Sequence, residues 1–565
     1  MDDSRETTYS SSLDDEKAGT VEGSPTLNSL QDPNDVNPDE KGAVDLDPPH
    51  TPEYLSGYPL YMVITAICLA GFLYSLDVTI IVTAIPVITT HFHSTQDIGW
   101  YGSAYLITLC SCSLLVGKIY QHYNSKATFF VFVVLFEIGS LICGVAPSST
   151  ALILGRAVAG MGGSGLFVGA LTIVALATPS EKRPQTMSMV YGISMLGMVT
   201  GPIIGGALTQ RVSWRWCFYI NLPAGAVALL AIAFIRIPDS KSKAESKVTL
   251  FEMINRLDPV GFMLFAPTCV MILLALEWGG TKYAWNSSTI IGLFVGFAAT
   301  AVTFVFWEYH RGDTAMVPLR ILRQRVVYSS CLSMVAQFGS VQAFSYYLPV
   351  WFQTILGVSP ILSGVYFLAT AGPLVAMTII SGILVGKIAN PAIFAILGNA
   401  IAAIGCGLLS ILSPSSSKAA YICFQLLAGF GRGISLQQPV NAVQKSLQPS
   451  MISVGSSMVL FAQFFGGAIF LALAETDFTT SLSAALGKFA PGVNSALILE
   501  AGATGVREVV SSGQLPGVLL AYNQAIMNAF YLGAAGAAFA SCAGWGMGIT
   551  QNMRKKKPEP AAGTV

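Results

Sequence analysis

Leu115-Val-Gly-Lys-Ile119 occurs a second time in this chain, as Leu384-Val-Gly-Lys-Ile388, at an offset of 269 residues. A second match has the same offset: Ala159-Gly-Met-Gly-Gly163 is echoed by Ala428-Gly-Phe-Gly-Arg432. Two independent matches at one offset indicate an internal repeat, in which one half of the protein follows the other in the same orientation.

Both matches lie in long apolar segments. A helix needs about 20 largely apolar residues to cross a bilayer, and the sequence contains fourteen such segments. The repeat pairs the second with the tenth and the fourth with the twelfth. It therefore predicts an all-α membrane protein, with two parallel six-helix repeats and an inserted helix pair between them. The fourteen segments are near 59–86, 99–120, 127–146, 151–177, 187–209, 216–236, 258–278, 288–308, 327–352, 361–386, 391–412, 419–441, 452–474 and 523–548.

The composition agrees with this architecture. Hydrophobic residues make up 53% of the 565 residues and charged residues only 11%, with a mean hydropathy of +0.62. Soluble domains average about 25% charged residues, so the composition argues strongly against a cytosolic enzyme and a nucleic-acid-binding protein. The ten cysteines all lie in or beside apolar segments and form no CxxC pair, which favours small buried hydrophobes over metal or redox sites.

The ends of the chain differ from its body. Before residue 54 there are 14 acidic and three basic residues, without apolar periodicity, which predicts a disordered segment. We therefore predict five regions: an acidic cytoplasmic tail at 1–55, an N-terminal six-helix bundle at 58–236, a linker with the two extra helices at 237–325, a C-terminal six-helix bundle at 326–549 and a basic cytoplasmic tail at 550–565.

Lysine and arginine predict the orientation. If the N-terminus is cytoplasmic, 22 of the 30 basic residues lie in cytoplasmic loops and tails, as the positive-inside rule requires. No basic stretch followed by a short apolar one begins the chain, so the first span is expected to direct insertion. The sequon at Asn286 then faces the outside and is a candidate glycosylation site.

Charged residues at membrane depth cost about 2.5–3.5 kcal/mol each on insertion scales, so each of them needs a reason. Asp77, Glu137 and Arg156 lie within predicted spans. Asp77 is interpreted as a proton or cation site in a central cavity, or as one partner of a static interhelical hydrogen bond. Arg156 is interpreted as the fixed cation that tunes this site, or as a structural clamp, and Glu137 as a further candidate.

Three other charged residues receive weaker interpretations. Arg432 could pair across helices. Glu277 and Glu308 lie near the ends of spans, where side chains are expected to reach water, and are not assigned a role.

Glycine patterns predict helix packing. Gly197, Gly201 and Gly205 recur every four residues, with Gly206 beside them. Small residues at this spacing let helix backbones approach closely, and Pro202 removes a backbone donor and bends a helix. The pattern Gly160-x-Gly162-x-x-Gly165 matches a dinucleotide-binding fingerprint, but it lies inside an apolar span and not between a strand and a helix.

Several motifs resemble a known family. Leu76-Asp-Val-Thr-Ile-Ile81 with Ala84-Ile-Pro86, Leu154-Gly-Arg156, Gly201-Pro202-Ile-Ile-Gly205 and Trp214-Arg-Trp-Cys-Phe-Tyr-Ile-Asn-Leu-Pro223 resemble motifs of the fourteen-span drug:proton antiporters in the major facilitator superfamily. The acidic tail and an outside loop at about 475–520 resemble the fungal branch of toxin and secondary-metabolite efflux pumps. The resemblance covers about residues 55–553 and implies that Arg156 takes part in proton coupling.

One motif departs from the family. The loop after the second span usually carries an aspartate where this chain has Gln121, and of the later basic positions only Lys126 is kept. A charge relay that latches the two halves together is therefore not expected here, and another contact must stabilise the outward-facing state.

The expected function is proton-coupled efflux of small amphipathic molecules by alternating access, driven by a proton gradient without a cofactor or a metal. The expected partners are a small-molecule substrate, protons and the bilayer, with no nucleic acid, and the chain is expected to act as a monomer in the plasma membrane. A carrier of a basic solute such as an amino acid in the vacuolar membrane, a membrane-embedded lipid enzyme and a non-transporting receptor remain alternatives.

Overall fold

The computed structural model describes residues 54–548, with gaps at 95–96, 236, 238–249, 281, 494, 496–497, 499–505 and 508. Nearly all of the predicted acidic tail and the whole predicted basic tail lie outside these residues. The regular structure within them is helical, apart from one isolated β-bridge between Gly279 and Tyr283.

Nineteen α-helices and four short 3₁₀ turns follow one another in the described part of the chain. The helices are α1 Tyr58–Ile80, α2 Ile85–Phe92, α3 Ile98–His122, α4 Ser125–Val145, α5 Ser149–Ala177, α6 Arg183–Arg211, α7 Trp216–Tyr219, α8 Asn221–Ala233, α9 Leu250–Arg256, α10 Pro259–Trp278, α11 Ser288–Arg311, α12 Leu319–Leu322, α13 Arg325–Thr354, α14 Pro360–Ile388, α15 Pro391–Leu409, α16 Lys418–Ser435, α17 Gln438–Ser446, α18 Ile452–Phe489 and α19 Leu515–Gly544.

Thirteen helices of the described chain are long and apolar enough to cross a membrane. The remaining predicted span coincides with α13, which has 30 residues but a more polar composition, because it buries serines and a glutamine such as Ser333, Gln337 and Ser340. The fold prediction is confirmed in kind, and the count of fourteen is consistent with the helices observed.

The internal repeat is visible in the packing of glycines. In the first half, Gly162 of α5 lies against the backbone of Phe136 in α4; in the second half, Gly431 of α16 lies against the backbone of Ala402 in α15. Gly139 and Gly405 make the reciprocal contacts in these two pairs, against Ala159 and Ala428 respectively. Both helix pairs therefore pack by the same close backbone approach, as expected for parallel repeats.

The largest apolar cluster that joins the two halves lies toward one end of the described chain. Residues near the ends predicted to be cytoplasmic, such as Val116 of α3, Val190 of α6 and Val440 of α17, belong to a single cluster. At the opposite end each half has its own cluster, one around Ile80 and Phe218 and one around the second half's α13 and α19. This arrangement fits a conformation closed toward the predicted cytoplasm.

The inserted pair α10 and α11 joins the N-terminal half through a buried polar cluster. Asp258 accepts hydrogen bonds from Trp307 Nε1 at 2.8 Å and from the Met316 amide at 3.0 Å. Glu308 accepts one from the Val317 amide at 2.7 Å, and Lys118 of α3 donates to the Thr314 carbonyl at 3.4 Å.

Glu308 is 2% exposed, so the expectation that it reaches water is wrong. It lies close to a span end, but the chain after α11 folds back and covers it.

The sequence-based end of the thirteenth span is also wrong. Helix α18 does not stop near residue 474 but runs for 38 residues to Phe489. Two carboxylates, Glu475 and Asp477, interrupt the hydropathy pattern, whereas Leu482 and Leu486 beyond them are buried on one face. An amphipathic continuation of this kind stays helical outside the apolar segment, so the first part of the predicted 475–520 loop is helix.

Candidate functional site

Asp77 and Arg156 meet in the interior of the N-terminal half. Asp77 lies near the end of α1, and Arg156 lies in the second turn of α5. Arg156 Nη1 is 2.6 Å from Asp77 Oδ2, and the two residues are 1% exposed or less. The structure thus brings together the two principal charges that the sequence singled out, as a buried ion pair.

Arg156 is fixed on two further sides. Its Nε donates to the Tyr101 carbonyl of α3 at 2.9 Å, and its guanidinium carbon lies 4.4 Å from the centre of the Tyr105 ring. A guanidinium that is held by a carboxylate, a carbonyl and an aromatic face has few orientations left. The cation is therefore set in place by α1, α3 and α5 together.

Asn221 completes the surroundings of Asp77. This first residue of α8 is fully buried, and its Nδ2 donates to Asp77 Oδ1 at 3.0 Å and to Ser140 Oγ of α4 at 3.1 Å. Asn221 lies within the motif that begins at Trp214, but it was not predicted to be a site residue. The available signal was a polar amide inside an apolar span, where an unpaired amide is costly.

Glu137 lies one turn before Ser140 on α4, and Ser140 is linked to Asp77 through Asn221. Neither of its carboxylate oxygens has a hydrogen-bond partner in the described part of the chain. Gly225 of α8 leaves the space that this carboxylate occupies, since a side chain there would overlap Glu137 Oε1. The site therefore combines one carboxylate that is fully paired with a second that is not.

The site is closed in this conformation. Asp77 is fully buried, so it does not line an open cavity as the sequence-based interpretation expected. The surrounding helices pack too closely to leave an open cavity at Asp77, because Gly197 and Gly201 let α6 lie directly against α1.

The glycine motif of α6 behaves largely as expected. Added side chains at Gly197, Gly201 and Gly205 would each meet atoms of α1 or the turn that follows it, whereas nothing lies within 4 Å of such a group at Gly206. Helix α6 continues through Pro202. Three of the four glycines therefore form the helix contact, and Gly206 takes no part in it.

The remaining residues lie apart from this site. Arg432 donates to the Ser340 carbonyl at 3.4 Å and contacts Cys406 Sγ at 3.1 Å, and it forms no ion pair with a carboxylate among the described residues. Asn286 is exposed in the turn before α11, which leaves glycosylation there a prediction. All ten cysteines are free.

Uncharged contacts join the two halves where the usual aspartate is missing. Gln121 of α3 donates to Met451 Sδ, ahead of α18, at 3.2 Å. Ser188 of α6 lies against Gly382 of α14 and accepts a hydrogen bond from Gln437 Nε2. The interface at the predicted cytoplasmic end therefore depends on small residues and amide groups.

Known proteins resemble this chain over most of its length. It is 45% identical over 522 residues to the efflux pump mlcE of Penicillium citrinum, a match that covers 90% of this chain and 94% of that relative. It is 46% identical over 511 residues to the MFS-type transporter pigP of Monascus ruber, with 90% and 89% of the two chains covered.

Solved structures share the fold at low identity. The proton:xylose symporter XylE superposes with a TM-score of 0.57 at 14% identity, covering 86% of this chain and 95% of that one. The human organic anion transporter MFSD10 gives a TM-score of 0.54 at 13% identity, with 84% and 100% of the two chains covered. The family model of the Major Facilitator Superfamily matches residues 67–471. The chain is a multi-pass membrane protein that belongs to the Major Facilitator Superfamily.

Proposed function

We propose that this protein is a proton-coupled efflux transporter of small amphipathic molecules, with Asp77, Arg156 and Glu137 as its coupling site. Two of its relatives are named as an efflux pump or a transporter, and they match it over nearly their whole lengths. The observation that carries the proposal is the buried pair of Asp77 and Arg156, which lies at membrane depth where ionisable groups are costly and mark ion pathways.

Asp77 and Arg156 form a buried ion pair, and separating the two charges would leave each without a partner in an apolar interior. A proton can therefore replace the arginine only when the helices move and the ion pair opens. Loading the proton is in this way tied to a change of conformation, which is what coupling requires.

Glu137 gives the proton a second place to bind. Its oxygens have no partner among the described residues, and one turn of α4 separates it from Ser140, which is linked to Asp77 through Asn221. A proton arriving from outside would pass between the two carboxylates as the ion pair opens. The cycle needs no bound cofactor, and the chain acts as a monomer in the plasma membrane.

The test uses purified protein in liposomes with an acid interior and a panel of amphipathic dyes. Wild-type protein is expected to accumulate dye only while the pH gradient lasts. Asp77→Asn is expected to abolish this uptake, and Asp477→Asn, a carboxylate on α18 outside the proposed site, is expected to leave it intact. Gradient-driven uptake that survives in Asp77→Asn would overturn the assignment of the coupling site, and uptake that ignores the gradient in wild-type protein would overturn proton coupling.

A further inference from the structure

A cavity lies where the two halves and the inserted helix pair meet. Helices α3, α10, α13 and α18 line it, and it encloses about 110 Å³. The mouth of the cavity, which shares Ser103, Glu277 and Glu475 with it, holds about 400 Å³, within the range of roughly 300–1,000 Å³ that small-molecule sites occupy. Most of the wall is apolar or aromatic and includes Leu106, Leu273, Phe338, Phe464 and Leu471.

Two carboxylates lie in this apolar wall. Glu277 comes from α10 of the inserted pair, and Glu475 comes from α18 of the second half. Ser103 of α3 donates a hydrogen bond to Glu277 Oε1 at 2.7 Å, which fixes that carboxylate at the cavity wall. Each of the three parts of the molecule thus supplies one polar group to the same space.

The mouth adds aromatic rings. Trp100 and Trp278 line it together with the two glutamates, and their ring centroids are 5.6 Å apart. Lys282 also lines the mouth, with its Nζ 5.3 Å from the Trp278 ring and 5.8 Å from the Tyr283 ring. The mouth and cavity therefore present two acidic side chains and one basic side chain.

Gln342 of α13 lines the cavity as well, and its buried Oε1 has no hydrogen-bond partner in the described chain. A carbonyl oxygen without a donor suits a ligand with N–H groups or positive charge. Apolar walls, aromatic rings, an acceptor and two carboxylates together form the recognition chemistry of a bulky organic cation.

We infer that this cavity is a binding site for an amphipathic organic cation, with Glu277 and Glu475 as its countercharges. The site is separate from the buried pair in the N-terminal half, and the inserted helix pair supplies one of its walls. The inserted pair is therefore part of the binding machinery as well as a connection between the two halves.

The test measures equilibrium binding of radiolabelled tetraphenylphosphonium to the full-length protein in nanodiscs, without a pH gradient. Tetraphenylborate, which has the same shape and the opposite charge, is the matched probe. The double variant Glu277→Gln/Glu475→Gln is expected to weaken binding of the cation by about tenfold or more, since two countercharges are lost. Asp477→Asn, which removes a neighbouring carboxylate of α18 outside the cavity, is expected to change the affinity by less than about twofold.

A second variant separates the effect of the carboxylates on binding from the effect of the shape of the cavity. Ala468→Phe narrows the cavity without removing a carboxylate and is expected to weaken binding of the cation as well, while thermal unfolding reports that each variant is folded. Unchanged affinity in the double variant, or binding of tetraphenylborate as tight as that of the cation, would overturn the assignment. The assignment would also be overturned if Asp77→Asn lost binding of the cation while the double variant Glu277→Gln/Glu475→Gln kept it. Because no gradient is applied, failure of this test leaves proton coupling untouched.

Discussion

Asn221 Nδ2 lies 3.0 Å from Asp77 Oδ1, although the two residues are 144 positions apart in sequence. The same nitrogen lies 3.1 Å from Ser140 Oγ. One amide therefore connects the end of α1 with the middle of α4, and through them the paired carboxylate with the helix that carries Glu137. The first two predictions concern this arrangement.

Arg156→Met is expected to destabilise the protein by about 3–5 kcal/mol, because it leaves the Asp77 carboxylate buried without its countercharge. The double variant Asp77→Asn/Arg156→Met is expected to recover most of the loss, since neither charge is then buried alone. Thermal unfolding in detergent measures both. If the two single substitutions lower the stability additively, the residues do not act as a pair.

Asn221→Ala is expected to cost about 1–3 kcal/mol, because two buried acceptors lose their donor. It is also expected to change how the initial rate of dye uptake depends on the imposed pH gradient, since one side of Asp77 is then open. Asn528→Ala, which removes a single hydrogen bond to Ser481 in the second half, is the control. Equal dependence on the gradient in both variants would mean that Asn221 has only a structural role.

Gly201→Ala is expected to destabilise the protein by about 1–3 kcal/mol, because the added methyl group would overlap Thr79 of α1 in a closely packed contact. Gly206→Ala lies in the same motif, has open space around it and is expected to change stability by less than about 0.5 kcal/mol. Thermal unfolding of the two variants side by side checks this. A similar loss of stability in both variants would contradict the conclusion that Gly206 takes no part in the helix contact.

Gly225→Ala is expected to be destabilising because the new methyl group would occupy the position of Glu137 Oε1. Glu137→Ala removes the obstructing carboxylate, so the double variant is expected to be more stable than Gly225→Ala alone. Unfolding temperatures of the four proteins form a double-mutant cycle. A coupling free energy near zero between these two positions would show that the Glu137 carboxylate can move to another conformation when Gly225 is replaced.

Gly382→Val is expected to separate the halves at the predicted cytoplasmic end, because its side chain would overlap Ser188 of α6. Spin labels at Ser180 and Lys445, which line one cavity at this interface, report the separation in a cysteine-free background. The mean distance is expected to increase, shifting the population toward the inward-open state. Gly364→Val, on the same helix but with open space around it, is expected to leave the distance unchanged.

Much of the fold could be predicted because the repeated sequence motif contains glycines whose backbones contact a neighbouring helix. Gly162 and Gly431 have the same role in the two halves, and a small residue at such a position is required by the close approach. The end of α18 could not be predicted by hydropathy, because Glu475 and Asp477 interrupt the apolar run without ending the helix.

The candidate site likewise has parts that could be predicted from the sequence and parts that could not. Asp77 and Arg156 were found from the sequence because charges are rare in apolar spans. Their mutual contact, and the amide of Asn221 between helices, depend on how α1, α5 and α8 pack. Gly225 carries no local signal, since only the position of Glu137 in space explains why a side chain is excluded there.

The 38 residues of α18 correspond to a rod of about 57 Å at 1.5 Å per residue, nearly twice the hydrocarbon thickness of about 30 Å. One unbroken helix thus reaches from the closed interface, past the wall that holds Glu475, to a last segment whose Leu482 and Leu486 are buried in the second half. A protein that binds the exposed face of this segment, at Ser483, Ala484, Gly487 and Lys488, would be joined by one continuous helix to the closed interface. An antibody fragment bound to this exposed face could therefore hinder the conformational change of transport without entering the membrane.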